Sequence, residues 1–237
     1  MDRLVLVMPA YNEEANIRQV LEDWLPVVEA VSPESRLLLV DDGSRDDTLA
    51  VACTVAQDHP ALIPVTQPNQ GHGAAVLNGY RRALEMGADY VFQTDSDGQT
   101  LPSEFSAFWE QRRKYAMVIG LRRGRQDGFG RVVVTKTLRL TLLFSFGVRV
   151  PDANTPFRLM EAGELARLLP KVPDGYNLTN VLLSVLYVRN RLPVKWIPIT
   201  FRPRQGGVNS LNWKRIFAIG RQALGDFRRL RKTVREG

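Results

Sequence analysis

Within this 237-residue chain, Asp95-Ser96-Asp97-Gly98-Gln99 is the segment whose residue types and spacing most directly suggest chemistry. Two carboxylates one residue apart can converge on one hard cation where the chain turns. Mg²⁺ or Mn²⁺ prefers oxygen ligands of this kind, and a diphosphate can supply the rest of its shell. Gln99 could add a carbonyl oxygen. Asp95, Asp97 and Gln99 are therefore the candidate metal ligands, and Mg²⁺ or Mn²⁺ the candidate cofactor. A cation held there would stabilise charge developing on a departing phosphate. Taken alone, Asp-Ser-Asp-Gly reads first as a turn, so its meaning depends on what accompanies it.

Three further polar clusters accompany it. Pro9-Ala10-Tyr11-Asn12-Glu13-Glu14 offers an aromatic ring to a base and carboxylates to a helix start. Asp41-Asp42-Gly43-Ser44 places carboxylates where ribose hydroxyls or a base edge could donate to them. Asn69-Gln70-Gly71-His72-Gly73-Ala74-Ala75 opens a helix, and its glycines would let backbone approach a ligand closely. That segment lacks the spacing and the lysine of a P-loop, which argues against an ATPase. His59 and His72 lie in different segments without a companion Cys or His, so neither is expected to bind metal.

The elements that must position these clusters follow from the apolar runs. Leu4–Met8 and Leu37–Val40 read as buried strands, and Leu62–Thr66 and Tyr90–Gln93 as a third and a fourth strand. Between them, Asn12 is expected to cap a helix running to Trp24, Asp46–Ala56 a second, and Gly73–Met86 a third closed by Gly87. This alternation predicts an α/β fold with a mainly parallel sheet flanked by helices, in which ligands bind beyond the carboxyl ends of the strands. All four clusters fall at such ends. Further on, Met117–Gly120 reads as a strand, 122–130 as a Gly/Arg-rich loop and Val132–Phe146 as a helix. Its apolar stretch, Leu140–Phe146, is far short of the ~20 residues that span a bilayer. Cys53, the single cysteine, excludes an internal disulfide framework. The N-terminus enters the first strand without a basic region and a long apolar core, so no signal peptide is expected.

The order and placement of these motifs resemble the family 2 glycosyltransferases of the GT-A fold, in particular the branch of polyprenyl-phosphate sugar transferases. The resemblance rests on the four clusters above. It extends to Gly120-Leu121-Arg122, to Asp152-Ala153-Asn154-Thr155-Pro156-Phe157-Arg158 and to Phe201-Arg202-Pro203-Arg204-Gln205-Gly206-Gly207. It implies a GT-A (Rossmann-like) catalytic domain over 1–209, with a nucleotide-sugar-binding half at 1–100 and an acceptor half at 101–209. It implies nucleotide binding by Pro9, Ala10, Tyr11, Glu13, Asp41, Asp42, Gly71, Asp95 and Ser96, with Pro9, Tyr11, Glu13 and Asp42 on the nucleoside. Asp97, Arg122, Asp152 and Arg204 are the implied catalytic set, with the two arginines near the diphosphate or acceptor phosphate. The implied reaction is an inverting single displacement from a UDP- or GDP-sugar onto a polyprenyl phosphate. A lipid phosphate is already an anion and needs no base. A saccharide or protein hydroxyl would need one, and Asp152 is the candidate. Leu121, Asn154-Thr155-Pro156 and Asn209-Ser210 depart from the family pattern, all on the acceptor side. A nucleotidyltransferase would be expected to carry a Gly-rich basic loop where Asn12-Glu13-Glu14 stands. A non-catalytic binding module would be expected to have lost an aspartate or Gln99.

Charge completes the expectation. The chain carries +7, yet from Phe201 onward ten Lys/Arg stand against two Asp/Glu, so the tail is +8 and the remainder −1. On a helical projection of 210–237, Trp213, Phe217, Leu224 and Phe227 share one face, and Arg215, Arg228, Arg229 and Lys232 fall on the other. A basic amphipathic C-terminal helix of this composition fits an anionic membrane surface. The same stripe would also serve a helix packed on its own domain. The expected partners are thus a nucleotide-sugar, a lipid-phosphate acceptor and an anionic membrane, with no nucleic acid. The expected location is cytoplasmic and peripheral, on the inner face of the membrane.

Overall fold

The computed structural model describes residues 1–122 and 139–203. The first half alternates as the apolar runs require: β1 (Leu4–Ala10), α1 (Ile17–Glu29), β2 (Arg36–Asp41), α2 (Thr48–Asp58), β3 (Leu62–Thr66), α3 (His72–Glu85) and β4 (Tyr90–Thr94). There follow α4 (Phe105–Trp109), β5 (Met117–Arg122), helical residues 139–146 as α5, β6 (Phe157–Glu161), α6 (Ala162–Leu168), α7 (Thr179–Arg189) and β7 (Val194–Ile199). The loop expected from 122 and the helix expected from 132 lie partly outside the described residues, and Arg204 and the C-terminal helix wholly outside them.

One seven-stranded sheet runs in the order β3-β2-β1-β4-β6-β5-β7. β3, β2, β1 and β4 pair in parallel, as expected. β6 then lies antiparallel between β4 and β5, while β5 and β7 are parallel to each other. Two reversals bring β5 and β7 back into the direction of β4. The carboxyl ends of β1, β2, β4, β5 and β7 therefore share a rim with the amino end of β6. The boundary drawn at residue 100 falls inside this one sheet.

The pleat of β1 explains its layers, since successive side chains point to opposite faces. Val5 and Val7 join a core with α3, α6, α7 and the end of α5. Leu4, Leu6 and Met8 join a second core with α1, α2 and α4. In the second, Phe92 packs edge-on against Phe105 and Phe157, with ring centroids 5.1 and 4.8 Å apart. Burial on both faces is what makes these strands continuous apolar runs rather than alternating ones.

The start of α1 differs from expectation. The helix begins at Ile17, not Asn12, and continues through Pro26 to Glu29. Asn12 adopts a left-handed backbone with φ +54°. Its side chain accepts from Arg45 N, and its own N–H donates to Ser44 Oγ. Glu13 and Glu14 donate their N–H groups to Thr48 Oγ1 and Asp46 Oδ2. These tertiary hydrogen bonds hold the segment between β1 and α1 on the loop after β2 and postpone the helix. Burial of Val20, Leu21, Trp24, Leu25 and Val28 carries it past the proline.

Candidate active site

The rim gathers most of the residues singled out by sequence. Pro9 and Ala10 end β1 in register with Val40 and Asp41 of β2. Tyr11 is exposed beside them, whereas Glu13 is buried. The two aspartates at the end of β2 accept hydrogen bonds from the protein. Asp41, 2% exposed, accepts from Ser44 N and Thr66 Oγ1. Asp42, 3% exposed, accepts at Oδ1 from Gln67 Nε2 (2.7 Å) and Gln70 N (3.0 Å), and at Oδ2 from Gly71 N (2.8 Å). Asp42 thus pins the loop before α3 to the end of β2.

Gly71, in that loop, and Gly73, in the first turn of α3, have structural roles of their own. Gly71 has φ +90°, which a side chain would oppose. A Cβ on Gly73 would lie 2.4 Å from the backbone of Tyr176 and Asn177. The close approach at Gly73 is to the segment leading into α7. Thr179 Oγ1 reinforces it by donating to Gly73 O at 2.9 Å.

Asp95 and Asp97 follow β4 on the same rim. Asp95 Oδ1 accepts from His72 Nε2 at 3.0 Å and from Gln93 Nε2 at 2.9 Å. Oδ2 accepts no hydrogen bond from a described residue. The His72 side chain is 54% exposed, and partial desolvation that works against its protonation is outweighed by the Asp95 carboxylate, with Asp97 and Asp42 behind it, which raises its pKa. His72, set aside as a lone histidine, therefore belongs to the site as a partner of Asp95. Asp97 Oδ1 accepts from Gln99 N, and Ser96 is buried between the two carboxylates. Gln99 is also tied to Arg202: its Nε2 donates to Arg202 O at 2.7 Å, and its own carbonyl accepts from Arg202 N at 2.8 Å. Among the described residues no group of three His, Cys, Asp or Glu could hold a metal ion unaided. The oxygen chemistry of Asp95 and Asp97 fits a divalent cation that takes two carboxylates from the protein and its remaining ligands from a bound diphosphate.

Arg122, at the end of β5, meets Asp152 across the rim. Its Nε and Nη2 donate to the two carboxylate oxygens at 2.8 and 2.7 Å, with the side chains only 10% and 7% exposed. The guanidinium also lies 5.2 Å from the Phe201 ring centroid. Nearby, Arg158 is 0% exposed and, pairing with no carboxylate among the described residues, donates to the carbonyls of Ala153, Thr155 and Asn180. Burial lowers its pKa, but a guanidinium stays charged in proteins. It braces the 153–155 turn that presents Asp152.

Residues 5–163 match the family described as Glycosyl transferase family 2. The chain belongs to this family. A polyprenol monophosphomannose synthase of Mycolicibacterium smegmatis is 28% identical over 223 residues, covering 90% of this chain and 83% of that protein. An undecaprenyl-phosphate 4-deoxy-4-formamido-L-arabinose transferase of Pseudomonas fluorescens is 30% identical over 65% of the chain, which spans 45% of that relative. Among solved structures, glucosyl-3-phosphoglycerate synthase from Mycobacterium tuberculosis, in complex with Mn²⁺, UDP and phosphoglyceric acid, matches with a TM-score of 0.72 at 20% identity, over 97% of this chain and 78% of that one. That likeness confirms the GT-A fold.

In this glycosyltransferase the short motifs were visible in sequence, whereas Gln93, Asn180, Tyr80 and Arg158 were not singled out as a group. Their contacts join positions as far apart as 100 residues, from Tyr80 to Asn180. A glutamine closing an otherwise apolar strand was the one local sign.

Proposed function

We propose that this glycosyltransferase binds a nucleoside-diphosphate sugar on the rim formed by residues 9–13, 41–43 and 95–97, and transfers the sugar with inversion to the phosphate of a polyprenyl lipid at a membrane surface. The observation that carries the acceptor class is the Arg122–Asp152 pair. Both oxygens of Asp152 accept from the guanidinium fork, an ion pair that favours the carboxylate and works against its use as a base. A carboxylate that instead holds an arginine in place suits an acceptor that arrives as an anion and needs no base. The names of the relatives acting on polyprenol and undecaprenyl phosphates agree with this reading.

The chain's own residues divide the work. Asp42 holds the 70–71 backbone in place beside the donor site, and Tyr11 offers an exposed ring for a base. Asp95 and Asp97 would hold Mg²⁺ or Mn²⁺, which supplies charge stabilisation to the leaving diphosphate. Gln99 fastens Arg202 and so the segment leading towards Arg204, which lies outside the described residues. Arg122, oriented by Asp152, would bind and orient the acceptor phosphate.

No helix among the described residues is long and apolar enough to cross a membrane. Contact with the lipid surface is assigned instead to the basic segment after residue 210 and to the exposed Leu140 and Phe144 of α5. The test is sugar transfer from UDP- and GDP-sugars with Mg²⁺ or Mn²⁺, offering either a short polyprenyl phosphate or the matching polyprenol and soluble saccharides. Product on the phosphate alone is expected. Transfer to a hydroxyl acceptor that Asp152→Asn abolishes would overturn the acceptor assignment and make Asp152 the base.

A further inference from the structure

A chain of side-chain hydrogen bonds runs beneath the rim and ends on Asp95. The Tyr80 hydroxyl, on α3, donates to Asn180 Oδ1 at 2.9 Å. Asn180 Nδ2, in the first turn of α7, donates to Gln93 Oε1 at 3.1 Å. Gln93 Nε2, on β4, donates to Asp95 Oδ1 at 2.9 Å. Tyr80 and Gln93 are 0% exposed and Asn180 3%. Asn180 is itself fixed, because its backbone carbonyl accepts from Arg158 Nη1 and from Ser184 Oγ.

The chain can run in only one direction. An ionised Asp95 accepts hydrogen bonds and cannot donate them, so Gln93 must present its NH₂ group to it. The Gln93 carbonyl then faces Asn180, which must present its own NH₂. The Asn180 carbonyl is left for Tyr80, whose hydroxyl burial keeps protonated. Turning either amide would set oxygen against oxygen in a water-poor interior, where an unpaired polar group is costly. Packing β4 against α3 and α7 would need only apolar side chains. A directed polar relay ending on a carboxylate at the rim asks for a different reason.

We propose that Gln93, held by Asn180 and Tyr80, is a positioning residue for the metal: by occupying Asp95 Oδ1 it fixes the carboxylate and leaves Oδ2 for the divalent cation. This rests on the reading of Asp95 as a metal ligand. Groups that orient a metal ligand through a hydrogen bond typically change metal affinity ten- to a hundredfold when removed.

The experiment titrates Mn²⁺ into the 237-residue chain with UDP and with GDP. Free Mn²⁺ is followed by electron paramagnetic resonance, and melting temperature is measured in parallel. Asp95→Asn is expected to lose Mn²⁺ binding. Gln93→Leu should weaken it about tenfold, and should raise the Mn²⁺ concentration needed for half-maximal transfer while leaving kcat at saturating Mn²⁺ nearly unchanged. Tyr80→Phe, which removes only the outermost donor, should weaken binding in the same direction and by less. If Asp95→Asn loses Mn²⁺ while Gln93→Leu binds it like the parent, the positioning role is overturned and the metal site stands. If Gln93→Leu does not fold, an unchanged affinity in Tyr80→Phe overturns the role. If Asp95→Asn binds Mn²⁺ normally, the metal reading itself fails.

Discussion

Asp42 and Asp97 are both acidic rim residues, yet their surroundings give them different work. Asp42 is enclosed and receives three donors, two of them backbone N–H groups of the loop before α3. Asp97 is only partly buried and lies in the turn after β4. Replacing Asp97 with Ala is therefore expected to leave the melting temperature close to the parent value while turnover falls about a hundredfold or more, the loss of one principal stabiliser of developing charge. Near-normal turnover by the purified variant would refute the assignment. Replacing Asp42 with Ala should act on the fold first. It removes three part-buried hydrogen bonds that hold the loop, at a cost of about 1 kcal/mol or more, so a lower denaturation midpoint should accompany any loss of nucleotide affinity. A variant as stable as the parent would show that the pinning bonds carry no weight. The sequence already marked both residues, because each sits in a short motif at a strand end. It could not say that one is left partly exposed in a turn while the other holds a loop, since Asp42 meets partners 25 to 29 positions away.

α3 carries the loop pinned by Asp42 at one end and Tyr80 in its middle, so its seat on the sheet matters to both. A Cβ on Gly79 would lie 2.3 Å from Val7 Cγ1 and 3.2 Å from Val40 Cγ2. Gly79→Ala should therefore force the helix outward and cost about 1–3 kcal/mol by overpacking, despite the better helix propensity of alanine. Chemical denaturation decides this, and a stability gain would mean that the β-strand side chains repack freely. β1 to β4 and α2 and α3 were legible because buried parallel strands are unbroken apolar runs separated by helices. The second half was harder for identifiable reasons. β6 is antiparallel and buries Arg158 among carbonyls, so a charged residue interrupts its apolar pattern. α7 is buried on nearly every face from Thr179 to Tyr187, which removes the amphipathic period that marks a helix. β7, at the sheet edge, is largely half-exposed.

Across the whole molecule, charge and apolar exposure are unevenly placed. The residues before Phe201 sum to −1 and those from it onward to +8. On α5, Phe144 is 78% exposed and Leu140 55%, one helical turn apart, with Arg139 also exposed. A large aromatic and a leucine facing solvent on one helix stripe are unfavourable in water and suited to the headgroup boundary of a bilayer. Each basic residue near an anionic leaflet contributes about 1 kcal/mol, enough in combination for reversible attachment without a covalent lipid. The rival arrangement packs Trp213, Phe217, Leu224 and Phe227 against the catalytic domain, which would leave the basic face solvated and the tail structural. The two differ in how attachment responds to salt and to lipid charge. If the membrane arrangement holds, the protein should sediment with vesicles containing acidic lipid, detach as salt rises and the headgroup field is screened, and ignore neutral vesicles. Replacing Arg228, Arg229 and Lys232 with Gln should weaken attachment at every salt concentration. Replacing Leu140 and Phe144 with Ser should weaken it with little change in salt dependence, because those two contribute burial rather than charge. A protein that stays in the supernatant with acidic vesicles at low salt would refute peripheral attachment, and the acceptor would then have to be reached in solution.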